Sequence, residues 1–138
     1  MASFVKYECL SEDTAEKVHN FDTDTLKVML SNAAPNAATH TTRSQATEIS
    51  GGNGYTSGGI DTQNATSRSG VTTSVTGVDA VWTASGAVGP FRYVILYNDT
   101  PTSPADPLIG YWDYGSSISL ANGETFTVDF GASMFTVA

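Results

Sequence analysis

A single cysteine, Cys9, stands in this chain of 138 residues. An internal disulfide is excluded, and Cys9 is expected to behave as a small, half-buried hydrophobe. Charge is scarce as well. Charged residues make up 14% of the chain, and only six are basic. The six are scattered, so no cluster exists to neutralise a phosphate backbone, and nucleic acid is not an expected partner. No apolar run approaches the ~18 residues of a membrane-crossing helix. The N-terminal MASFVKYECLSEDT lacks the apolar core of a signal peptide. The expectation is a protein made in a cytoplasm, soluble, with no membrane partner.

Chemistry-bearing motifs are equally thin. His19 and His40 are the only histidines, and their spacing is not that of a metal pair such as H-x-x-x-H. Asp22-Thr23-Asp24 lacks the glycine and glutamate that a calcium loop places after its first acids. Gly51-Gly52-Asn53-Gly54 lacks the Lys-Ser/Thr of a phosphate loop, and no G-x-S-x-G elbow marks a nucleophile. No cofactor and no metal is expected, and the chain reads as a non-enzyme.

What fills the gap is Gly, Ser, Thr, Asn and Ala, a mixture that suits β-structure with polar loops. The densest β-forming region runs from Gly89 to Phe130. In Phe91–Asn98, alternation places Phe91, Tyr93, Ile95 and Tyr97 on one face and Arg92, Val94 and Leu96 on the other. Both faces are mostly apolar, so this strand is expected at the centre, covered on both sides. Ile118 and Leu120, then Phe126, Val128 and Phe130, read as a hairpin over Ala121-Asn122-Gly123. That odd loop pairs Ile118 with Phe126 and keeps the apolar set on one face, with Gly123 in the left-handed conformation. Leu26–Leu30, Val71–Thr83 and Leu108–Tyr114 give further strands. A short helix is expected within residues 4–18, with Ser11 as its N-cap, and another is allowed within 41–49.

Residues 33–70 thin out to alanines, Thr, Ser, Asn and Gly, with Ile49, Tyr55 and Ile60 as the larger apolar side chains. So little apolar surface predicts an extended loop or arm, ordered by a partner. The expected architecture is mainly β: one antiparallel sandwich or barrel-like domain over residues 1–138, with 33–70 as the arm and at most one or two short helices. Tyr111, Trp112 and Tyr114, with Trp82, form the densest aromatic group. Core packing, a subunit interface or a glycan ledge each fits such a group.

Four stretches carry a resemblance. TLKVMLSNAAPN (Thr25–Asn36), GNGYTSGG (Gly52–Gly59), GPFRYVILYND (Gly89–Asp99) and PLIGYWDYGSSISLANGETFTVDF (Pro107–Phe130) resemble a family of small structural proteins of tailed bacteriophages. The resemblance implies a non-enzymatic virion component and supplies no catalytic residues. It favours a capsid decoration or cement protein on the outer surface of the head, partnered by the major capsid protein and by itself, as a homotrimer. A tail or connector component is the alternative within the virion, and a glycan-binding receptor module is the alternative outside that class. Interface anchors expected on this reading are Tyr55, Ile60, Trp112 and Tyr114.

Overall fold

Runs rich in β-branched and aromatic residues become strands, and the polar stretches between them become turns. The structure, a computed structural model, describes residues 3–138. Among these lie β1 (Phe4–Lys6), α1 (Cys9–Ala15), β2 (Leu26–Ser31), β3 (Ile60–Asp61), β4 (Ala65–Ser69), β5 (Thr72–Thr76), β6 (Ala80–Thr83), β7 (Val88–Asn98), β8 (Leu108–Leu120), β9 (Thr125–Val128) and β10 (Phe135–Val137). A 3-10 turn at Arg43–Gln45 is the other helical element. The fold is mainly β and antiparallel, as the composition predicts.

Three sheets share the strands. A five-stranded sheet runs β1-β8-β7-β2-β3, a three-stranded one β10-β5-β4, and β6 pairs with β9. One face of the large sheet packs on the two smaller sheets. That core joins Leu26, Val28, Val94, Leu96 and Trp112 to Val75 and Phe135 of the three-stranded sheet and to Trp82, Phe126 and Val128 of the β6–β9 pair. The opposite face carries Tyr7, Met29, Tyr93, Ile95, Tyr97 and Leu108, covered by Cys9, Ala37, Ala46 and Tyr111. β7 is therefore central and buried on both faces, as its two apolar faces require.

Four local expectations are corrected. First, Phe91 does not share a face with Tyr93. Phe91 lies opposite Ile118 and Tyr93 opposite Asp113, so Tyr114–Ser117 bulge out against Arg92 alone. The strands twist sharply across this irregularity, and Phe91 joins the core between the sheets while Tyr93 joins the other face. Arg92 holds the bulge through two bonds to Asp113, 2.8 and 3.1 Å, and Asp113 Oδ1 accepts the Gly115 N–H at 2.8 Å.

Second, the β8–β9 hairpin does not form. Gly123 takes positive φ, 88°, but Leu120 pairs with Val88 of β7 and Phe126 with Trp82 of β6. β9 pairs with β6 instead, so the Ala121–Glu124 turn carries the chain from one sheet to another. There the Gly123 N–H donates to the Ala84 carbonyl at 2.7 Å, and the Ala84 N–H donates to Glu124 at 2.8 Å.

Third, Ser11 is not the helix cap. Glu8 holds that position without a side-chain cap bond, and the Ser11 hydroxyl donates back to the Glu8 carbonyl. Fourth, residues 33–70 are not an extended arm. Its first part lies across the second face of the large sheet and is stitched down by backbone bonds: Glu8 N–H to Ala37, Leu108 N–H to Thr41, Arg43 N–H to Asp106 and Ile49 N–H to Leu30, all 2.9–3.0 Å. Its later part packs Ile49, Tyr55 and Ile60 on the first core and enters the sheets as β3 and β4. Further along, Gly59 (φ 86°) crosses Val28 so closely that a Cβ would run into the Val28 carbonyl. Backbone contact, which needs no large apolar side chain, shares the anchoring with the buried Tyr55.

Phe126 lies against Phe91, Tyr114 and Trp82, with ring centroids 4.8, 5.2 and 6.1 Å away. Replacing Phe126 with Ala removes the shared member of this cluster. The expected loss is about 3–5 kcal/mol, read as a lower urea midpoint with unchanged slope; a loss below about 1 kcal/mol would contradict the packing.

Candidate interaction surface

The four anchors expected from sequence do not form a surface. Tyr55 and Trp112 are each 2% exposed. Trp112 packs on Phe4 and Phe130, with centroids 4.8 and 5.5 Å away, because β8 lies between β1 and β7 rather than at an edge. Tyr114 is half-buried on the same core. Its hydroxyl is buried without a partner, and burial, with Asp129 nearby, raises its pKa. Ile60 is half-buried where β3 pairs with Val28. None of the four is a free anchor, and no exposed Trp112 ledge is present for a sugar.

Tyr55 instead belongs to a hub on Glu48. The Glu48 carboxylate accepts from Tyr55 Oη at 2.6 Å, Arg43 Nη2 at 2.7 Å, the Gly58 N–H at 2.7 Å and Ser57 Oγ at 3.2 Å. Tyr55 Oη also accepts the Leu30 N–H at 3.0 Å, and Tyr97 Oη donates to the Gly58 carbonyl at 2.5 Å. Burial opposes ionisation of Glu48, but its donors, Tyr55 first, outweigh burial and hold its pKa below the ordinary value. This cluster locks residues 43–58 onto β2 and β7. Sequence reading missed it because nothing in GGNGYTSGG marks Glu48 as the partner.

A second buried cluster centres on His19. The Asn98 amide donates to Asp24 Oδ2 at 2.7 Å and lies 3.0 Å from His19 Nδ1. Asp24 is an acceptor only, and Asn98 Oδ1 already accepts the Thr100 N–H. Asn98 Nδ2 is therefore the donor to both, and His19 is neutral with its proton on Nε2. Protonating Nδ1 would set two donors against each other. Burial agrees, pushing the pKa of His19 down to about 4 against a weaker opposing pull from Asp24. Phe21 stacks on the ring at 4.9 Å. Among the described residues, no group of three or more His, Cys, Asp or Glu side chains converges as a metal site. No helix there is long and apolar enough to cross a membrane.

The surface itself offers a different candidate. β6 turns Ala80 and Trp82 inward, which leaves Val81 and Thr83 outside. Val81 lies opposite Thr127 and Thr83 opposite Thr125, both exposed. The outer face of this pair is thus four β-branched, uncharged side chains with no layer over them. Val81 is 49% exposed and the nearby Val78 is 56% exposed. Acids flank the face and are tied to backbone: Asp79 Oδ1 accepts the Phe130 N–H, Asp129 Oδ1 the Gly131 N–H and Glu124 Oε1 the Ala121 N–H. An uncharged centre inside a charged rim is the pattern of a protein interface. Val and Thr lose little rotamer freedom on docking. Alternation in VDAVWTA carries this face in the sequence; the pairing with β9 that completes it does not show there.

Comparison with protein-family models, with curated proteins and with solved structures found no match.

The His19 geometry sets a pH dependence. In the unfolded chain the imidazole takes up a proton near 6.5, and in the fold near 4. The unfolded state therefore binds more protons between these values, and stability is full above the upper one and falls with pH toward the lower. The expected loss between pH 6.5 and about 5 is about 1.5 kcal/mol from this group. Thermal melts of a His19→Gln variant should be flatter over this window than those of the parent; parallel slopes would contradict a buried neutral imidazole.

Proposed function

We propose that the chain is a bacteriophage virion structural protein, a capsid decoration protein that docks on the outer surface of the head and stabilises the shell. The observation that carries this reading is the β6–β9 outer face, Val81, Thr83, Thr125 and Thr127, rimmed by Asp79, Asp129 and Glu124. The four stretches that resemble tailed-phage structural proteins supply the partner, the major capsid protein. Acids around the face favour a capsid surface whose complementary rim is basic or neutral, since like charges would oppose docking. A two-stranded face is smaller than the roughly 1,000 Å² of a specific interface. Docking on a shell therefore draws on several linked copies, where the second contact is intramolecular. A ligand that binds only the assembled lattice stabilises it by mass action.

Purified protein added to undecorated heads should saturate them and raise their resistance to heat. Val81→Glu with Thr127→Glu should lower occupancy by about tenfold or more, because charge enters the uncharged centre, while circular dichroism stays unchanged. Heads that bind the double variant as well as the parent would remove this face from the reading. Particles that keep their genome without the protein but fail to adsorb to cells would replace cementing with receptor binding.

A further inference from the structure

β4 is the outer strand of the β10-β5-β4 sheet. Edge strands are usually blunted by proline, a bulge, a covering segment or a charged side chain, and Arg68 is the one charge on this edge. Ala-Thr-Ser-Arg-Ser has no proline, pairs with β5 without a break in register and is mostly exposed. Its tip is a two-residue turn, Gly70-Val71, with Gly70 at φ 61° and Ser69 directly opposite Thr72. A turn of this length closes on a hydrogen-bonded pair. The backbone groups of Ala65, Ser67 and Ser69 therefore face β5, and those of Thr66 and Arg68 face outward along the free edge.

The side chains follow the same alternation. Thr66 lies opposite Val75, which is buried, so Thr66 and Arg68 point to the inner side of the sheet while Ala65, Ser67 and Ser69 point out. On the inner side Thr66 Oγ1 donates to Asp22 Oδ1 at 3.1 Å. Asp22 and Asp24 line a cleft of about 450 Å³ beside Thr66, with Lys17 as its one cation. Arg68 is exposed, donates to the carbonyl of Gly70 in its own turn at 3.0 Å, and belongs to none of the ion pairs among the described residues.

We propose that β4 is a self-docking edge: two copies pair β4 antiparallel to β4 about a two-fold axis at Ser67, and each places Arg68 at the Asp22–Asp24 cleft of the other. In this register Thr66 of one copy lies opposite Arg68 of the other, and the outward backbone groups of these residues form four inter-chain bonds. Directly opposed side chains share a face, so Arg68 meets the Thr66 that holds Asp22. Ser67 meets Ser67, two small side chains, and no like charges are opposed. Arg68 balances the excess acid of the cleft. Antiparallel pairing of one strand with its own copy closes after two copies, which gives a dimer in place of the homotrimer implied by the resemblance. The contact is short, so the dimer is weak and concentration-dependent. None of this depends on the virion reading.

Sedimentation velocity of the full chain over a wide concentration range tests it. The parent should pass from monomer to dimer and should dissociate on adding salt, which screens the exposed ion pairs. Arg68→Asp and Asp22→Arg should each weaken the dimer by about tenfold or more, with unchanged circular dichroism. The combined Arg68→Asp, Asp22→Arg chain should dimerise again, which a folding defect would not do. A parent that stays monomeric or forms trimers, an Arg68→Asp variant that dimerises as before, or a double variant that stays monomeric would each overturn the proposal.

Discussion

Burial of both faces of β7 is the constraint from which the rest follows. Tyr93 to Asn98 are all buried, in a chain whose apolar content is 40%. One face is covered by side chains from the two small sheets. The other must be covered by what remains, and there tyrosines and alanines stand where leucines would be ordinary. Tyr7, Tyr93, Tyr97 and Tyr111 line that side with Ala37 and Ala46. Tyrosine brings a large apolar ring and a hydroxyl that needs a partner. Tyr97 finds one in the Gly58 carbonyl, and Tyr55 of the other core finds Glu48. A face built this way calls for a polar, backbone-rich cover, and the Thr-, Ser- and Gly-rich stretch supplies it.

Short polar side chains also build the turns. Several of the chain's aspartates and asparagines hold their own turns. Asp61, Asp113 and Asp129 each accept the N–H two residues on, and Asn36 and Asn98 do the same. Such side chains replace backbone partners where the chain reverses. Three of the basic residues are spent on single carboxylates, Lys27 on Asp99, Arg43 on Glu48 and Arg92 on Asp113.

Period-two patterns were legible wherever a strand ran without interruption. Leu26–Leu30 and Ala80–Trp82 turned out as alternation reads, and Phe91, Tyr93, Ile95, Phe126 and Val128 are all buried. What failed was anything decided by a partner distant in sequence. The face of Phe91 depends on a bulge in the facing strand, the fate of Phe126 on pairing with β6, and the path of 33–70 on backbone contacts with β2. Trp112 looked like a ledge because its strand neighbours, β1 and β7, cannot be read from its own sequence. The β6–β9 face shows the same division, since half of it was visible in VDAVWTA and half waited on pairing.

Phe4 lies opposite Trp112, and Lys6 Nζ reaches the Thr136 carbonyl at 2.9 Å. The first strand is thus laid down against a strand far along the chain, β8, and beside β10. A ribosome adds residues over seconds, from the N-terminus onward, and most of the chain has been synthesised before β1 can meet the strand that completes its sheet. Closing such a long loop is intrinsically slow. β1 therefore waits unpaired until β8 has been made, and the main sheet closes late in folding, after β2, β3 and β7 have come within reach of one another.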